Sequence, residues 1–377
     1  MRVCFLNHTL DEATGAGHFC RSLLNAIRRA EHRFAYVVLT AVPSGAPDEA
    51  AVLPAGRFGL IRALPKIRAA CKRYDIVHAL DGYPFGVMAA VAALGLSQRL
   101  LITAIGSGAI QPFGRPAAGR LLAWAYRGAD RVVAVSGYTR RELIRHVPGL
   151  TVSVINHGVE AGEFRADISS VDYPEIESLR PYVLSVGALK PRKGFLYSLR
   201  AFAELRKRFP RLAYVIVGGG EPGELDAEIR RLGIGSSVRF FSDVPRPFLR
   251  AVYRRAELFW LLPHDADGDI EGFGLVFLEA AAAGLPVIGT LKSGAEDAVA
   301  DGENGVLVPP RDPASAARAA AGILSSSELR ERLSRASRAV AGRMSWDAVA
   351  GAYLDLYREL LGARVPPGGV GPVNAKQ

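Results

Sequence analysis

Apolar and polar positions follow two recurring patterns along this chain. Short, almost wholly apolar runs are typical of strands buried on both faces of a sheet. Between them, apolar residues recur every three or four positions, as in helices that bury one face. In the first half, the clearest helix is His18–Ala30, and strands are predicted at Val3–Leu6, Tyr36–Thr40, Ile76–Leu80, Leu100–Ile105, Arg131–Ser136 and Ser153–Asn156.

The pattern restarts after a polar, proline-containing segment at residues 161–180. Strands are predicted at Tyr182–Val186, Ala213–Val217, Val238–Phe241, Leu258–Leu262, Pro286–Gly289 and Gly305–Val308. Helices are predicted at Leu196–Arg208, Glu224–Leu232, Pro247–Arg255, Leu275–Ala283 and Ala314–Leu324. This alternation predicts an α/β fold with two parallel, doubly wound sheets, whose ligands collect at the carboxyl ends of the strands.

A chain of 377 residues is long enough for two domains, each with its own core. We place an N-terminal domain at residues 1–165 and a C-terminal domain at 175–345, with a ligand-binding cleft expected between them. The helical pattern at 346–361 is expected to pack back on the N-terminal domain. The tail at 362–377 is rich in Gly and Pro and is predicted to be disordered.

The net charge of +10 is the unusual feature of the composition, since the 49% hydrophobic and 22% charged residues are typical of a soluble globular protein. Such a charge calls for an anionic partner: a nucleotide, a lipid surface or a nucleic acid. Residues 60–73 form a basic amphipathic segment, which fits either contact with an anionic membrane or an ordinary packed helix.

The cysteine pattern and the hydropathy bear on the location of the protein. Cys4, Cys20 and Cys71 lack the paired spacing of metal or redox motifs, and we expect them to be reduced and buried. The longest nearly uncharged stretch, at residues 86–96, is much shorter than the ~20 residues of a membrane span. We therefore expect a cytoplasmic protein, with peripheral membrane contact left open.

The most informative stretch runs from Glu271 through Gly272, Phe273, Gly274 and Leu275 to Glu279. The amides of residues 273–276 open a helix and lack partners within it, so together with the helix dipole they offer an anion site. The two carboxylates are acceptors suited to sugar hydroxyl groups. Eight residues at helical rise span about 12 Å, which matches the distance from a sugar across a diphosphate to a ribose. The stretch therefore predicts a nucleotide-sugar site.

A basic loop follows the first strand of the second half. Arg192 and Lys193 lie between Lys190 and Gly194, at the carboxyl end of the strand Tyr182–Val186. Arginine binds a phosphate as a fork and lysine as a point charge, so both are candidates for holding a diphosphate. The alternative is a solvated basic loop without a ligand.

Two further motifs have weaker interpretations. Residues 218–223 fit the glycine spacing of dinucleotide sites, but Glu221 and Glu224 would repel a pyrophosphate, so Gly218 more plausibly forms a tight turn near the nucleotide. The acidic run Asp265–Glu271 does not match a calcium loop, and we expect no bound metal there.

In the first half, several residues at strand ends are candidates for ligand contacts. Gly15 and Gly17 follow the first strand, where glycine allows close approach of a ligand, although a tight turn alone would also explain them. His78 and Asp81 lie at the end of the strand Ile76–Leu80. A buried structural histidine is the alternative to an acceptor contact at His78.

Taken together, these motifs resemble the retaining GT-B glycosyltransferases of family 4, also called glycosyl transferases group 1. The resemblance is specific over residues 181–325 and looser in the N-terminal half. The motifs that carry it are Glu271–Glu279, Pro191–Gly194, Val217–Gly220 and Gly294–Val308, with Asp75–His78, Val133–Ser136 and Asn156–Gly158 in the first half.

The resemblance implies two Rossmann-like domains facing each other across a cleft, with a UDP- or GDP-sugar donor on the C-terminal domain and the acceptor on the N-terminal one. It implies transfer with retention of configuration and no metal or other cofactor. By the same resemblance, Glu271 contacts the donor sugar, Glu279 the ribose, and Arg192 and Lys193 the diphosphate. Val244 would line the base, and Gly15 and Gly17 would meet the donor.

Two positions depart from the family pattern. Ala188 stands where many members carry an arginine, and we expect Arg192 to supply that charge. Many members also end the strand at His78–Leu80 with a pair of histidines, so the usual catalytic histidine is missing, and Asp81 is a candidate for its space.

The expected function is transfer of a hexose from a nucleotide-sugar to a glycan or lipid-linked acceptor, in glycan or cell-envelope polysaccharide biosynthesis. A sugar-nucleotide epimerase, a phosphorylase and a non-catalytic sugar-nucleotide binder remain alternatives. A nucleic-acid binder is disfavoured because no recognisable nucleic-acid module is present.

Overall fold

The computed structural model describes residues 1–12, 14–54, 59–165 and 173–362. The predicted disordered tail beyond residue 362 and the central part of the predicted linker lie outside the described residues. The chain forms two compact units. The first unit contains residues 1–158, 267–272 and 346–377, and the second contains residues 159–266 and 273–345.

In the described part of the chain, thirteen strands form two all-parallel sheets. The strands of the first unit are β1 Arg2–Asn7, β2 Ala35–Thr40, β3 Glu49–Ala50, β4 Ile76–Leu80, β5 Arg99–Ala104, β6 Arg131–Ala134 and β7 Val152–Val154. Those of the second unit are β8 Tyr182–Val186, β9 Ala213–Val217, β10 Val238–Phe241, β11 Leu258–Trp260, β12 Val287–Thr290 and β13 Gly305–Val308. The spatial orders are β3-β2-β1-β4-β5-β6-β7 and β10-β9-β8-β11-β12-β13.

Helices connect the strands, as parallel pairing requires. In chain order they begin with α1 Gly15–Ala30, α2 Leu60–Cys71, α3 Val87–Ala93, α4 Ser107–Ile110, α5 Pro116–Gly128, α6 Gly137–His146, α7 Ala161–Arg165 and α8 Pro174–Glu177. The remaining helices are α9 Phe195–Arg208, α10 Gly223–Leu232, α11 Arg246–Arg255, α12 Leu275–Ala283, α13 Ala295–Ala298, α14 Pro313–Ser325, α15 Ser327–Arg343 and α16 Trp346–Leu360. No described helix is both long and apolar enough to cross a bilayer.

The first sheet carries helices on both faces. Helices α2, α3, α5 and α6 bury their apolar sides on one face, where Ile67, Met88, Leu122 and Leu143 join the core. Helices α1 and α16 cover the other face. The three cysteines are free and buried, as predicted.

The predicted fold class is confirmed, because both units consist of a parallel sheet that is wound in two directions from a central strand. The unit boundary falls after residue 158 rather than after 165. Helix α7 belongs to the second unit, where the ring of Phe164 packs edge-on against Tyr253 at 5.5 Å.

A buried polar network joins α16 to the first sheet. The imidazole of His78 lies with Nδ1 2.8 Å from the Tyr357 hydroxyl and Nε2 2.8 Å from Thr103 Oγ1, and Thr103 lies 3.1 Å from the Tyr353 hydroxyl. His78 has no solvent exposure, and burial lowers its pKa to about 3. The network fixes the C-terminal helix on the strands β4 and β5.

The network makes stability depend on pH. In the unfolded chain, His78 is protonated below the ordinary histidine pKa of about 6.5, whereas in the folded protein it stays neutral down to about pH 3. Because the unfolded state binds the additional proton, the free energy of unfolding falls as the pH falls from about 6.5 to about 3. From about pH 7 to about pH 5, we expect His78 alone to account for ~2 kcal/mol of lost stability. Urea unfolding of the wild type and His78→Gln at both pH values measures this contribution. An equal loss in both proteins would contradict it.

Candidate functional site

The order of the second sheet marks where a ligand belongs. Strands β9 and β10 extend to one side of β8, and β11, β12 and β13 extend to the other side. The direction in which successive strands are added to the sheet reverses between the neighbouring parallel strands β8 and β11, so the loops that follow these two strands diverge at their carboxyl ends. Crevices at such switch points bind ligands in open α/β sheets. Both predicted diphosphate-binding segments lie in these two loops.

The loop after β8 presents Lys193 at this switch point. Lys193 ends a short 3-10 turn and is only 8% exposed. Its side chain lies over Gly187, where an added side-chain carbon would be 3.3 Å from the Lys193 Cε and 3.5 Å from the Nζ. At Gly194, which has a φ of +71°, an added carbon would meet the carbonyl oxygen of Leu262 at 1.8 Å. The loop is therefore held tightly against the segment that follows β11.

Arg192 is fixed through its backbone and enclosed at its guanidinium. Its carbonyl oxygen accepts from the backbone N–H of His264 at 3.0 Å. The residue is half-buried, with Nε and Nη1 shielded from solvent. Ala188 in the same loop is exposed. The structure thus places Arg192 and Lys193 on one short turn in the loop that follows the carboxyl end of β8.

The glycine run after β9 packs against the loop after β8. An added side-chain carbon on Gly218 would lie 1.9 Å from the carbonyl oxygen of Gly187, and the Leu189 N–H donates to the Gly219 carbonyl at 2.9 Å. Close packing therefore explains why position 218 requires glycine. Val244 is half-buried beyond the end of β10, at the same edge of the sheet.

Helix α12 begins at this edge. Gly274, with a φ of +82°, turns the chain into the helix, which runs for nine residues from Leu275. Its first-turn amides and dipole favour an anion. The span of 12 Å predicted between the two acids assumed a continuous helix. That assumption is wrong, since only the part from Leu275 to Glu279 is helical, a rise of about 6 Å.

Glu279 is held in one orientation. It is buried, and its Oε2 accepts from the Tyr253 hydroxyl at 2.8 Å. Arg246 approaches Oε1 to 3.8 Å and also donates to Glu163 at 2.6 Å. The carboxylate therefore has a fixed position one turn into α12, where it can accept further hydrogen bonds.

Glu271 lies in a segment that packs with the first unit, because the division between the units falls between Gly272 and Phe273. The carbonyl of Gly272 accepts from Ser136 Oγ at 2.6 Å and from Thr139 Oγ1 at 3.0 Å. An added side-chain carbon on Gly272 would lie 2.1 Å from the Ile105 carbonyl oxygen. Glu271, which is 8% exposed, is thereby positioned at the carboxyl ends of β5 and β6.

Two residues of the acidic run before Glu271 make protein contacts, one through its carboxylate and one through its backbone. Asp269 accepts a short hydrogen bond from Ser107, and the Asp265 carbonyl accepts from Arg311 at 3.0 Å. Within the described ranges, no group of three His, Cys, Asp or Glu residues is arranged to hold a metal ion.

His157 is a further buried histidine of the first unit, and the sequence does not predict it as a site residue. It is 8% exposed, and its ring lies 4.7 Å from that of Phe19. Burial lowers its pKa to about 3, helped by the charge of His18 and opposed by Glu271. The charges of His18 and Glu271 therefore both act on His157 within the first unit. The available signal was its place in the Asn156–Gly158 motif, immediately after the last strand of the first half.

The first sheet has its own switch point between β1 and β4. Gly15 and Gly17 follow β1, and Asp81 follows β4. Space around Gly15 is open, whereas a side-chain carbon on Gly17 would meet the Asp11 carbonyl oxygen at 1.9 Å. At Gly17, therefore, the tight turn is a sufficient explanation.

The carboxylate of Asp81 binds the backbone around it. Its carboxylate accepts from the Gly82 N–H at 2.7 Å. Burial raises its pKa to about 6, against the lowering effect of the amides of Gly82, Gly106, Ile105 and Gly108. The backbone φ of Asp81 is +140°, a conformation that is strained for any residue other than glycine. These features indicate that Asp81 shapes the loop after β5.

The expectation that His78 contacts an acceptor is corrected by the structure. Its ring lies in the buried network described above, and both of its nitrogens face hydroxyl groups of the protein. We therefore assign His78 to the fold of the first unit and not to ligand binding.

A separate cavity of about 520 Å³ lies at the opposite edge of the second sheet. Its lining includes Arg180, Arg211 and Arg239, near the starts of β8, β9 and β10. It is therefore distinct from the switch point and contains none of the predicted site residues.

Comparisons with known proteins agree with this architecture. The family model described as "Glycosyl transferases group 1" matches residues 173–340, and "Glycosyltransferase Family 4" matches residues 13–163. The crystal structure of HepE from Anabaena in complex with UDP-glucose superposes with a TM-score of 0.79 at 19% identity, over 95% of this chain and 100% of that one. At this identity the likeness shows the fold alone, and it confirms the predicted GT-B class.

Two curated relatives are closer in sequence. "D-inositol 3-phosphate glycosyltransferase 2" of Catenulispora acidiphila is 36% identical, over 61% of this chain and 56% of the relative. The "GDP-mannose-dependent alpha-(1-6)-phosphatidylinositol monomannoside mannosyltransferase" of Mycolicibacterium smegmatis is 32% identical, over 66% of this chain and 68% of the relative. The chain thus spans little more than half the length of the first relative. It belongs to the glycosyl transferases group 1 family, with a family 4 N-terminal region.

Proposed function

We propose that the protein is a retaining glycosyltransferase that moves a hexose from a UDP- or GDP-sugar to a glycan or lipid-linked acceptor. Glycan or cell-envelope polysaccharide biosynthesis is the proposed setting. One observation carries the donor assignment: Lys193 and the first turn of α12 are presented by the two loops that diverge at the switch point of the second sheet.

The charge pattern at this edge of the sheet supports a diphosphate ligand. Lys193 and Arg192 supply positive side chains, and the helix end supplies amides and a positive dipole. UDP-glucose is the ligand in the HepE crystal structure, and the name of the mycobacterial relative gives GDP-mannose as its donor. These names support a nucleotide-sugar as the ligand class and leave the base open.

The proposed roles follow from these positions. The diphosphate gains negative charge as its bond to the sugar breaks, and Arg192, Lys193 and the α12 amides stabilise that charge. Glu271 accepts hydrogen bonds from the donor sugar, and Glu279 accepts them from the ribose. Because Glu279 already faces Tyr253 and Arg246, its carboxylate is oriented before a nucleotide arrives.

Retention of configuration requires attack from the face that the diphosphate leaves. In the proposed step, the bond from the anomeric carbon to the phosphate oxygen breaks and a bond to the acceptor oxygen forms. The acceptor proton passes to the departing phosphate oxygen. The acceptor is proposed to bind mainly on the first unit, where Asp81 shapes the loop after β5 and His157 lies near Glu271.

Incubation with a panel of UDP- and GDP-sugars tests the proposal. The matching donor should stabilise the protein by about 2.7 kcal/mol at a hundredfold excess over its Kd, measured as a thermal shift. With an added acceptor mixture, it should release nucleoside diphosphate and form an α-configured product from an α-configured donor. An epimerised nucleotide-sugar, transfer of the sugar to inorganic phosphate, or binding without turnover would overturn the assignment in favour of the corresponding alternative.

A further inference from the structure

The positive charge of the chain is concentrated in one region. Residues 50–129 contain ten arginines and lysines and two acids, so this stretch holds eight of the ten net positive charges. Both of these acids are engaged by the protein. Asp75 pairs with Arg2 at 2.6 Å, and Asp81 accepts from backbone amides. The positive charge of the region is therefore not compensated by its own acids.

The region includes the adjacent helices α2, α3 and α5, which cover one face of the first sheet. Helices on one face of a sheet turn their outer sides in the same direction, away from the strands. We call the outer side of these three helices the basic layer. On α2 it exposes Arg62 and Lys66, followed by Lys72 and Arg73 just after the helix.

Helix α5 adds large apolar side chains to the basic layer. Leu121 is 49% exposed and Trp124 is 40% exposed, and Arg120 and Arg127 flank them on the same helical face. Leu94, at the end of α3, is 55% exposed. Six large hydrophobic residues are exposed in the described part of the chain, and three of them belong to this layer.

This combination is that of a membrane-surface helix. Tryptophan and leucine enter the boundary between head groups and acyl chains, while flanking arginines pair with anionic head groups. An aqueous ligand would use the charges but leave Leu121 and Trp124 without a partner. We propose that the basic layer docks on the surface of an anionic lipid bilayer, with the exposed apolar side chains of α5 entering it. This goes beyond the donor chemistry and does not depend on it.

Tryptophan emission offers a direct readout of this docking. The chain has three tryptophans, and Trp260 and Trp346 are fully buried. A blue shift on addition of vesicles therefore reports on Trp124. We expect the full-length protein to show this shift and to co-sediment with vesicles of phosphatidylcholine containing about 30% phosphatidylglycerol, more weakly as salt is raised. Trp124→Phe should remove the emission change.

Charge-reversal variants show whether vesicle binding depends on the basic layer or only on the net positive charge of the protein. Arg120→Glu with Arg127→Glu should weaken vesicle binding by about tenfold or more, since each basic residue near an anionic surface contributes to binding. Arg230→Glu with Arg335→Glu, at exposed positions of the second unit, changes the net charge equally and should bind as the wild type does.

Four results would overturn the proposal. Two concern the vesicles: an equal loss of vesicle binding in the two double variants, and binding to pure phosphatidylcholine vesicles as strong as to the anionic ones. The other two are tighter binding of RNA than of vesicles, and a Trp124 blue shift that grows with protein concentration in the absence of vesicles. The last of these would assign the apolar face to a second copy of the chain. No nucleotide-sugar is present in any sample, so failure of the donor assignment cannot produce any of these results.

Discussion

Replacement of Lys193 by Met is expected to lower kcat/KM for nucleotide-sugar turnover by roughly 100- to 1,000-fold, the usual cost of removing one group that stabilises charge in a transition state. The ammonium group is buried beside Gly187, at the carboxyl end of β8, where the dielectric is lower than in bulk water. The loss should fall mainly on kcat, because the leaving diphosphate carries more charge in the transition state than in the bound donor. Initial-rate measurements over a range of donor concentrations separate the two parameters.

Lys190→Met is the matched control for this effect. Lys190 belongs to the same loop and carries the same charge, but it is exposed to solvent. Its replacement should change kcat/KM by less than about twofold, since solvent-exposed charges interact weakly. Equal losses in the two variants would show that the loop acts only through general electrostatics. An unchanged rate in Lys193→Met would remove Lys193 from the site.

Replacement of Glu271 by Gln is expected to lower kcat/KM by about 100-fold, because hydrogen bonds to a charged group contribute ~1.5–3 kcal/mol each. The loss should be specific to the sugar. Affinity for UDP or GDP, which lacks the hexose, should stay within about twofold of the wild type, since the backbone of Gly272 remains fixed by Ser136 and Thr139. Titration calorimetry of the variant with the bare nucleotide and with the intact donor measures whether the loss of affinity is specific to the sugar.

Asp267→Asn is the matched control, since it makes the same change from acid to amide in the same segment. Asp267 is exposed and has a φ of +54°, a conformation that asparagine also tolerates. This variant should behave as the wild type does. If Glu271→Gln weakened the binding of the bare nucleotide as much as that of the donor, Glu271 would act on the fold of the segment and not on the sugar.

The periodicity of the sequence predicts twelve of the thirteen described strands, because strands buried on both faces stand out as apolar runs. It does not predict β3, which consists only of the half-buried Glu49 and Ala50. It was weaker for the helices of the first unit. Residues 87–93 form α3, yet their pattern is almost uniformly apolar and has no helical period. The sequence pattern also does not predict the helix at residues 116–128. Helix α5 contains exposed Leu121 and Trp124, which blur the division into a buried and a polar face.

The candidate site residues could be predicted from the sequence where a local pattern marks them. The acids Glu271 and Glu279, the cations Arg192 and Lys193 and the glycine turn before α12 each lie within a few residues of a strand or helix end. Contacts between distant segments were not predictable. Nothing local marks the hydroxyls of Ser136 and Thr139 as partners of Gly272, or those of Tyr357 and Thr103 as partners of His78.

A crystal structure of the protein with UDP or GDP would locate the nucleotide. We expect the diphosphate to lie against the amides at the start of α12, with the Lys193 ammonium within hydrogen-bonding distance of its oxygens. A nucleotide bound elsewhere would contradict this expectation, most clearly in the cavity lined by Arg180, Arg211 and Arg239 at the opposite edge of the sheet.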